Sequence, residues 1–478
     1  MVTPNCWRCL LRPSMAAIKA APRRVAMPGI LATMPGPMTT AAAFSVSAPV
    51  AASAPTPAAP KKRKGNASRK KKTYKPTGKS PLPGERKAFR KRIQLSNNNA
   101  LRVEGLQTLT RQVIGDRKSI GSVCALSEPV VDQLRAVEAF KHTQTWGLFH
   151  APHTLIRTET VELAERIQKA AVNKENLRMV ISGDKVTGKS TLLLQAMTTA
   201  FLNDWIVINF PEAQELTTAC TEYAPLPGTT PQQYMQPVYA YNILQQMRKA
   251  SGHILQTMTV LNKHQDLSLE IITHASSLLD LIDSCKETET AWPVLQALWT
   301  ELQTPSKDRR PVMVTLDGLA HIMRTSDYRS PAFELIHSHD LTLVRWFVDG
   351  LSNGNGFNGF PAGGAFIAAE TKGNSPKSFS VELAIAQREA VQRGEEPPAR
   401  DPYCRHYDAR VDEALKDVPV LRLGGMSRAE TRSLMEYWAA SGLLRDAVDE
   451  KKVTDVWSIG GNGNVGEMER AALMTMKM

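Results

Sequence analysis

The chain has 478 residues, 42% of them hydrophobic, and a formal net charge of +13. That length allows two or three compact domains, and no apolar run approaches the roughly 20 residues that cross a bilayer, so membrane insertion is not expected. The charge is unevenly placed: residues 1–92 hold 20 Lys/Arg against Glu85 alone, whereas the remainder holds 39 Lys/Arg against 45 acids.

Residues 1–48 contain no acid, five basic residues (Arg8, Arg12, Lys19, Arg23, Arg24) and many Ala, Ser, Thr and Met. This composition reads as a removable mitochondrial transit peptide. A secretory signal needs one continuous apolar stretch, which Pro28, Pro35 and Pro37 interrupt. Cys6 and Cys9 form a lone C-x-x-C without a second pair, so no metal site is expected there. Residues 49–99 read as a basic tail. Its segment 61–92 carries 15 basic residues among Gly, Pro and Ser, too charged to pack a core and expected to be disordered until it meets a polyanion. RNA or DNA phosphates are the obvious polyanions, because each neutralised phosphate releases a counterion. A solvated linker and a nuclear import signal are the other readings of these runs, and the transit-like leader argues against the second.

From about residue 100 the composition becomes globular, and residues 100–400 read as one nucleotide-binding domain with a helical insertion. "TETVELAERIQKAAV" predicts a helix with Val161, Leu163, Ala164, Ile167 and Ala171 on its buried stripe. "LRMVIS" (177–182) is a short apolar strand, followed by "GDKVTGKS" and the helix "KSTLLLQAMTTAF". Strand, G-x-x-x-x-G-K-[S/T] and helix together form a phosphate-cradling loop. Gly183 allows the tight turn, Asp184, Lys185, Val186 and Thr187 span it, Gly188 lets the backbone come close, Lys189 reaches the terminal phosphates, and Ser190, followed by Thr191, offers a hydroxyl to Mg²⁺. A second "TGKS" at 77–80 has Thr73 in place of the first glycine and Pro81 behind it, so it lacks both the strand and the helix.

"DWIVINF" (204–210) is a second strand, and about a hundred residues of helical pattern follow, including "YAYNILQQMRKAS", "LEIITHASSLLDLIDSC" and "AWPVLQALWTEL". "RPVMVTLDGL" (310–319) and "GGAFIAAETKGN" (363–374) are the third and fourth strands. Strands alternating with helices predict a parallel sheet covered on both faces. Asp317 ends the third strand, where nucleotide hydrolases place the aspartate that holds Mg²⁺. Gly318 follows it in place of a water-activating glutamate, so slow or no hydrolysis is expected and no catalytic residue is assigned. Glu370 and Thr371, at the end of the fourth strand, could sense a terminal phosphate or form a plain turn. "NKHQD" (262–266) has one residue too many for a guanine-reading N-K-x-D and reads as surface, while "HSHD" (337–340) reads as a join ahead of the helix "LTLVRWFVDGL" rather than a metal site.

Residues 401–478 read as a mainly helical C-terminal part. Ser427 and Glu430 form a capping box for a helix that Gly442 stops, and Leu434, Tyr437, Trp438 and Leu443 would pack it on the sheet domain or in a small lid. "SIGGNGNVGEMERAAL" then sets a glycine-rich turn before another helix, which reads as a phosphate contact or a simple loop.

The acid-free leader, the basic tail, "GDKVTGKS", "VTLDGL", "HDLTLVRWFVDGL", "SRAETRSLMEYWAASG" and "GGNGNVGEMERA" occur in an order that resembles the family of mitochondrial small-ribosomal-subunit protein twenty-nine, also called death-associated protein three, in a fungal form. The resemblance covers roughly residues 100–478. It implies a P-loop domain related to the AAA+ and STAND ATPases, seated in the small-subunit head in the mitochondrial matrix, with small-subunit rRNA, neighbouring head proteins and large-subunit bridges as partners. It also implies a bound guanine nucleotide, GTP or GDP, with Mg²⁺. Adenine is not excluded, since no base-reading motif is present. Gly183, Gly188, Lys189, Ser190 and Thr191 match the family's phosphate loop, and Asp317 its Mg²⁺-side aspartate. Gly463 stands where related ATPases have proline in the late G-G-N-P turn. An active RNA- or DNA-dependent NTPase that grips nucleic acid with the basic tail is the alternative reading.

Overall fold

The computed structural model describes residues 93–474 except 265–266, 268–276, 353, 355–356, 374 and 406. The segment read as a leader, most of the basic tail, the second "TGKS" and the Cys6/Cys9 pair lie outside the described residues.

Five strands form the central sheet: β1 (Asn176–Gly183), β2 (Ile206–Phe210), β3 (Val312–Asp317), β4 (Gly364–Ala369) and β5 (Val420–Leu423). They pair in the order β5-β1-β4-β3-β2, and every pairing is parallel. β4 therefore lies between the strand that leads into the phosphate loop and the strand that ends at Asp317. Alternate residues along each strand enter opposite cores. Val180, Val314 and Phe366 face one apolar cluster, while Met179, Met313 and Ile367 face the other. A parallel sheet buried on both faces needs such near-continuous apolar runs.

The helices on the second face are α1 (Glu128–Ala136), α2 (Thr158–Asn173) and α3 (Lys189–Leu202); on the first face are α4 (Pro237–Leu255), α5 (Ala291–Gln303) and α6 (Thr342–Ser352). In α2 the stripe is Val161, Leu163, Ala164, Ile167 and Ala170, with Ala171 only half-buried. Trp299 of α5 stacks on Trp346 of α6 at 4.9 Å, which ties the helical insertion to the sheet-covering layer. Beyond residue 370 come α7 (Phe379–Arg393), α8 (Arg428–Ala440), α9 (Glu450–Ile459) and α10 (Val465–Glu469).

Several local outcomes differ from the sequence reading. β5 lies inside the stretch read as mainly helical and joins the sheet beside β1. The region read as helical insertion also contains an antiparallel hairpin, Ala224–Leu226 with Gln233–Met235. The helix read over 269–285 is described only at Leu278–Asp283, and most of its first part lies outside the described residues. "NKHQD" is not simply surface: Asn262 N and His264 Nε2 lie 2.7 and 3.0 Å from Oε1 of Glu301, a fully buried carboxylate that also pairs with buried Arg309 at 2.5 Å. "HSHD" is a join, as read, running from the short strand Leu335–His337 through a single 3₁₀ turn into α6. Among the described residues no cluster of three metal-ligating side chains exists, and no helix is long and apolar enough to cross a membrane.

The capped helix α8 packs in a third, smaller apolar cluster with α9, α10 and Phe149 rather than on the sheet. Its capping box is formed as expected: Ser427 Oγ accepts from Glu430 N, and Glu430 Oε2 accepts from Ser427 N at 2.8 Å.

Candidate functional site: a phosphate loop held by distant segments

β1 ends at Gly183, and the chain turns through 184–188 into α3, whose N-cap Gly188 takes a left-handed φ of 103°. Gly183 runs against β5 so closely that a Cβ there would lie 2.5 Å from Leu423 O. Only glycine fits, and the constraint comes from the strand missing from the sequence reading.

The loop carbonyls are all engaged. Lys189 Nζ donates to Gly183 O at 2.8 Å and Asp184 O at 2.5 Å. Asn464 Nδ2 donates to Lys185 O at 2.8 Å, Gly466 N to Val186 O at 3.1 Å, and Arg157 Nη1 to Thr187 O at 3.2 Å. By contrast, apart from the turn that closes over Lys185 and Val186, the backbone amides of 184–188 donate no hydrogen bond among the described residues. Backbone N–H groups are nearly always paired in folded chains. A row of unpaired amides at a helix N-terminus is a positively polarised anion site.

Below the loop, the sequence-predicted metal-side residues meet. Ser190 Oγ donates to Asp317 Oδ2 at 2.6 Å, and Thr371 Oγ1 donates to Asp317 Oδ1 at 3.0 Å. The strand order explains this: β4 lies beside β3 with Ala369 opposite Asp317, so Thr371, two residues past its end, reaches Asp317 directly. Thr371 is thus a partner of the metal-side carboxylate. Glu370, just before it, is buried, and its Oε2 accepts no hydrogen bond; the nearest cation is Lys372 Nζ at 3.9 Å. Burial pushes the Glu370 carboxyl above its usual range, opposed by Lys372 and Lys189. Burial pushes the Lys189 ammonium below the ordinary lysine value, opposed chiefly by Glu370. Both shifts reflect charged groups drawn out of water toward the same small volume.

Hard oxygens from Ser190 and Asp317, converging beside an anion site, are the donor set a Mg²⁺–phosphate pair uses. The residues present therefore fit that group. Thr191 is half-buried in the first turn of α3 and takes no part in these contacts, and Asp184, Lys185 and Val186 present exposed side chains.

Sequence reasoning missed Lys141, whose Nζ pairs with Asp317 Oδ2, and Arg157, which also donates to Gly424 O at 3.0 Å and so bridges the loop and the segment after β5. It left the glycine-rich turn open between two readings; the turn lies against the loop itself, and a Cβ on Gly466 would fall 2.8 Å from Val186 Cβ. The run of glycines before α10 was the available signal. No local pattern marks Lys141 or Arg157.

A parallel sheet whose inner strand delivers such a loop onto a helix N-terminus defines a P-loop α/β protein. Within that class the chain belongs to the family described as mitochondrial ribosomal death-associated protein 3, whose model matches residues 154–471. It is 51% identical over 482 residues to the small ribosomal subunit protein mS29 of Neurospora crassa, covering 100% of both chains. It is 22% identical over 352 residues to the mS29 of Schizosaccharomyces pombe, covering 72% of this chain and 70% of the relative. Among solved structures, a Walker-type ATPase of Pyrococcus abyssi matches at 12% identity and a TM-score of 0.31, over 66% of this chain and 69% of that one. The chain is accordingly a mitochondrial small-subunit ribosomal protein.

Proposed function

We propose that this ribosomal protein keeps a purine nucleotide, GTP or GDP ahead of ATP, with Mg²⁺ as part of its folded structure, and that its basic segment 61–92 touches the small-subunit rRNA after loss of the leader. The observation that carries the nucleotide reading is the loop's asymmetry. Its carbonyls from 183 to 187 are all taken by side chains and by Gly466 N, while its amides from 184 to 188, apart from the turn over Lys185 and Val186, are left over for an anion. Lys189 would hold the terminal phosphates, and Ser190 and Asp317 the metal.

Slow turnover follows from Gly318. It caps the short helix Leu319–Ile322 in a left-handed conformation at φ 98° and offers no carboxylate to activate water. The observation that favours the alternative, a working NTPase, is Glu370, a buried carboxylate near Lys189 without a hydrogen-bond donor to its Oε2. Release of γ-phosphate from GTP and ATP by the full-length protein, with and without rRNA, separates the two. Negligible release supports the structural reading, and brisk RNA-stimulated release would reverse the order. Deleting 61–92 should weaken rRNA binding and flatten its salt dependence, since up to 15 phosphate partners go. An unchanged salt slope would make the segment a linker.

A further inference from the structure

We propose that Lys141 is a tethered cation that occupies Asp317 when no divalent ion is bound there, so that the nucleotide stays bound when Mg²⁺ is withdrawn and Mg²⁺ reaches Asp317 by displacing the ammonium. The inference rests on the nucleotide reading above and concerns how the same site is charged. Lys141 Nζ and Ser190 Oγ meet the same oxygen, Asp317 Oδ2, while Thr371 occupies Oδ1. Asp317 is one of the two residues that would hold Mg²⁺. An ammonium on it supplies positive charge at that point without any ion being recruited from solution.

The placement is built into the fold rather than left to a free surface chain. Asp317 is almost fully buried and the Lys141 side chain is about one-fifth exposed, so the pair is largely shielded from water. The backbone on both sides of Lys141 is anchored. Asn209, next to the end of β2, donates from Nδ2 to Val137 O at 2.8 Å and accepts from Thr315 of β3 at 2.8 Å. This ties the segment after α1 to the strands that end at the site. Phe140 is buried edge-on against Trp146 at 5.3 Å, and Gln144 Oε1 accepts from both Lys141 N at 2.9 Å and Trp146 Nε1 at 2.6 Å. Phe140 and Gln144 therefore fix the backbone at Lys141.

Mg²⁺ dehydrates reluctantly and demands near-octahedral oxygen geometry, whereas a lysine ammonium is a compact point charge on a flexible stem. Being covalently attached, it acts at a high effective concentration. Mg²⁺ must displace it to reach Asp317, so the two cations compete.

The test measures the dissociation constants of mant-GDP and mant-ADP for the full-length protein in Mg²⁺ and in EDTA. For the wild type, EDTA should weaken binding less than about threefold. For Lys141→Met the loss should exceed about tenfold, or roughly 1.4 kcal/mol. A wild type that loses more than about tenfold in EDTA, or a Lys141→Met protein with the wild-type ratio, would overturn the proposal. Should neither probe bind the wild type in either condition, the nucleotide reading falls and this inference with it, an outcome distinct from binding that persists with the wrong Mg²⁺ dependence. Independently of any variant, Mn²⁺ titrated into nucleotide-free wild type and followed by electron paramagnetic resonance should stay free at micromolar concentrations. Tight Mn²⁺ binding there would also overturn the proposal.

Discussion

The phosphate loop and the segments that hold it differ in how they are encoded. Residues 183–191 are contiguous, and their geometry follows from two glycines, a strand and a helix start. The collar around them comes from four separate places: Lys141 after α1, Arg157 at the N-cap of α2, Thr371 after β4, and Asn464 and Gly466 at the start of α10. The loop supplies the amides proposed to meet an anion. The collar takes up the carbonyls of 185–187 and the carboxylate of Asp317, while the loop's own Lys189 takes the carbonyls of 183 and 184. A motif can therefore be complete in sequence while its chemical state is set elsewhere.

Substitution inside the loop should have the largest effect. Lys189→Ala removes the proposed phosphate ligand and the donor to two loop carbonyls, and nucleotide affinity should fall at least about a hundredfold by fluorescence titration. With it should go the stabilisation that a ligand at a hundred times its dissociation constant confers, about 2.7 kcal/mol. Lys79→Ala, in the other "TGKS", should change neither.

In the collar, Gly466→Val forces a side chain into Val186, and the overpacking should destabilise the protein by about 1–3 kcal/mol in urea melts while weakening nucleotide binding. If stability dropped and affinity did not, the collar would be scaffolding without influence on the loop. Asn464→Ala deletes one hydrogen bond to Lys185 O and should cost about 1 kcal/mol, read as a severalfold change in nucleotide affinity. An affinity equal to wild type would detach the glycine-rich turn from the site.

The effect furthest from the nucleotide site concerns the pH dependence of the third apolar cluster, which carries the turn. His153 is enclosed by Phe149, Trp146 and Tyr437, and burial holds it down to about 4; His339, in the join before α6, is held down to about 3, mainly by burial. The unfolded chain protonates both near pH 6.5, well before the folded chain does. Their contribution is therefore full above about pH 6.5 and lost as the pH falls, by up to about 1.4 kcal/mol per group for each pH unit. Urea melts at pH 7 and pH 5 measure it, and His153→Phe should reduce the difference. An unchanged difference would mean that the cluster does not sense protons through His153.

How much could be read beforehand follows the same division. The order strand, loop, helix was legible because it depends on neighbours in the chain, and Asp317 because it ends an apolar run of strand type. The alternation in "VLRL" behind Pro419, with Arg422 exposed and Leu423 buried, does announce β5, but four residues ahead of two glycines resemble a loop as much as a strand. Lys141 and Arg157 carry no local signature. Their roles depend on Asn209 and on β5, which bring together parts of the chain more than a hundred residues apart.

The nucleotide claim is tested most directly by denaturing the purified full-length protein and identifying what it releases by chromatography, beside Lys189→Ala handled in parallel. The wild type should release a guanine nucleotide in stoichiometric amount, unchanged after long incubation, and the variant almost none. A wild type that releases no nucleotide and takes up none when it is supplied, or a variant that releases as much as the wild type, would contradict a phosphate loop kept as part of the fold.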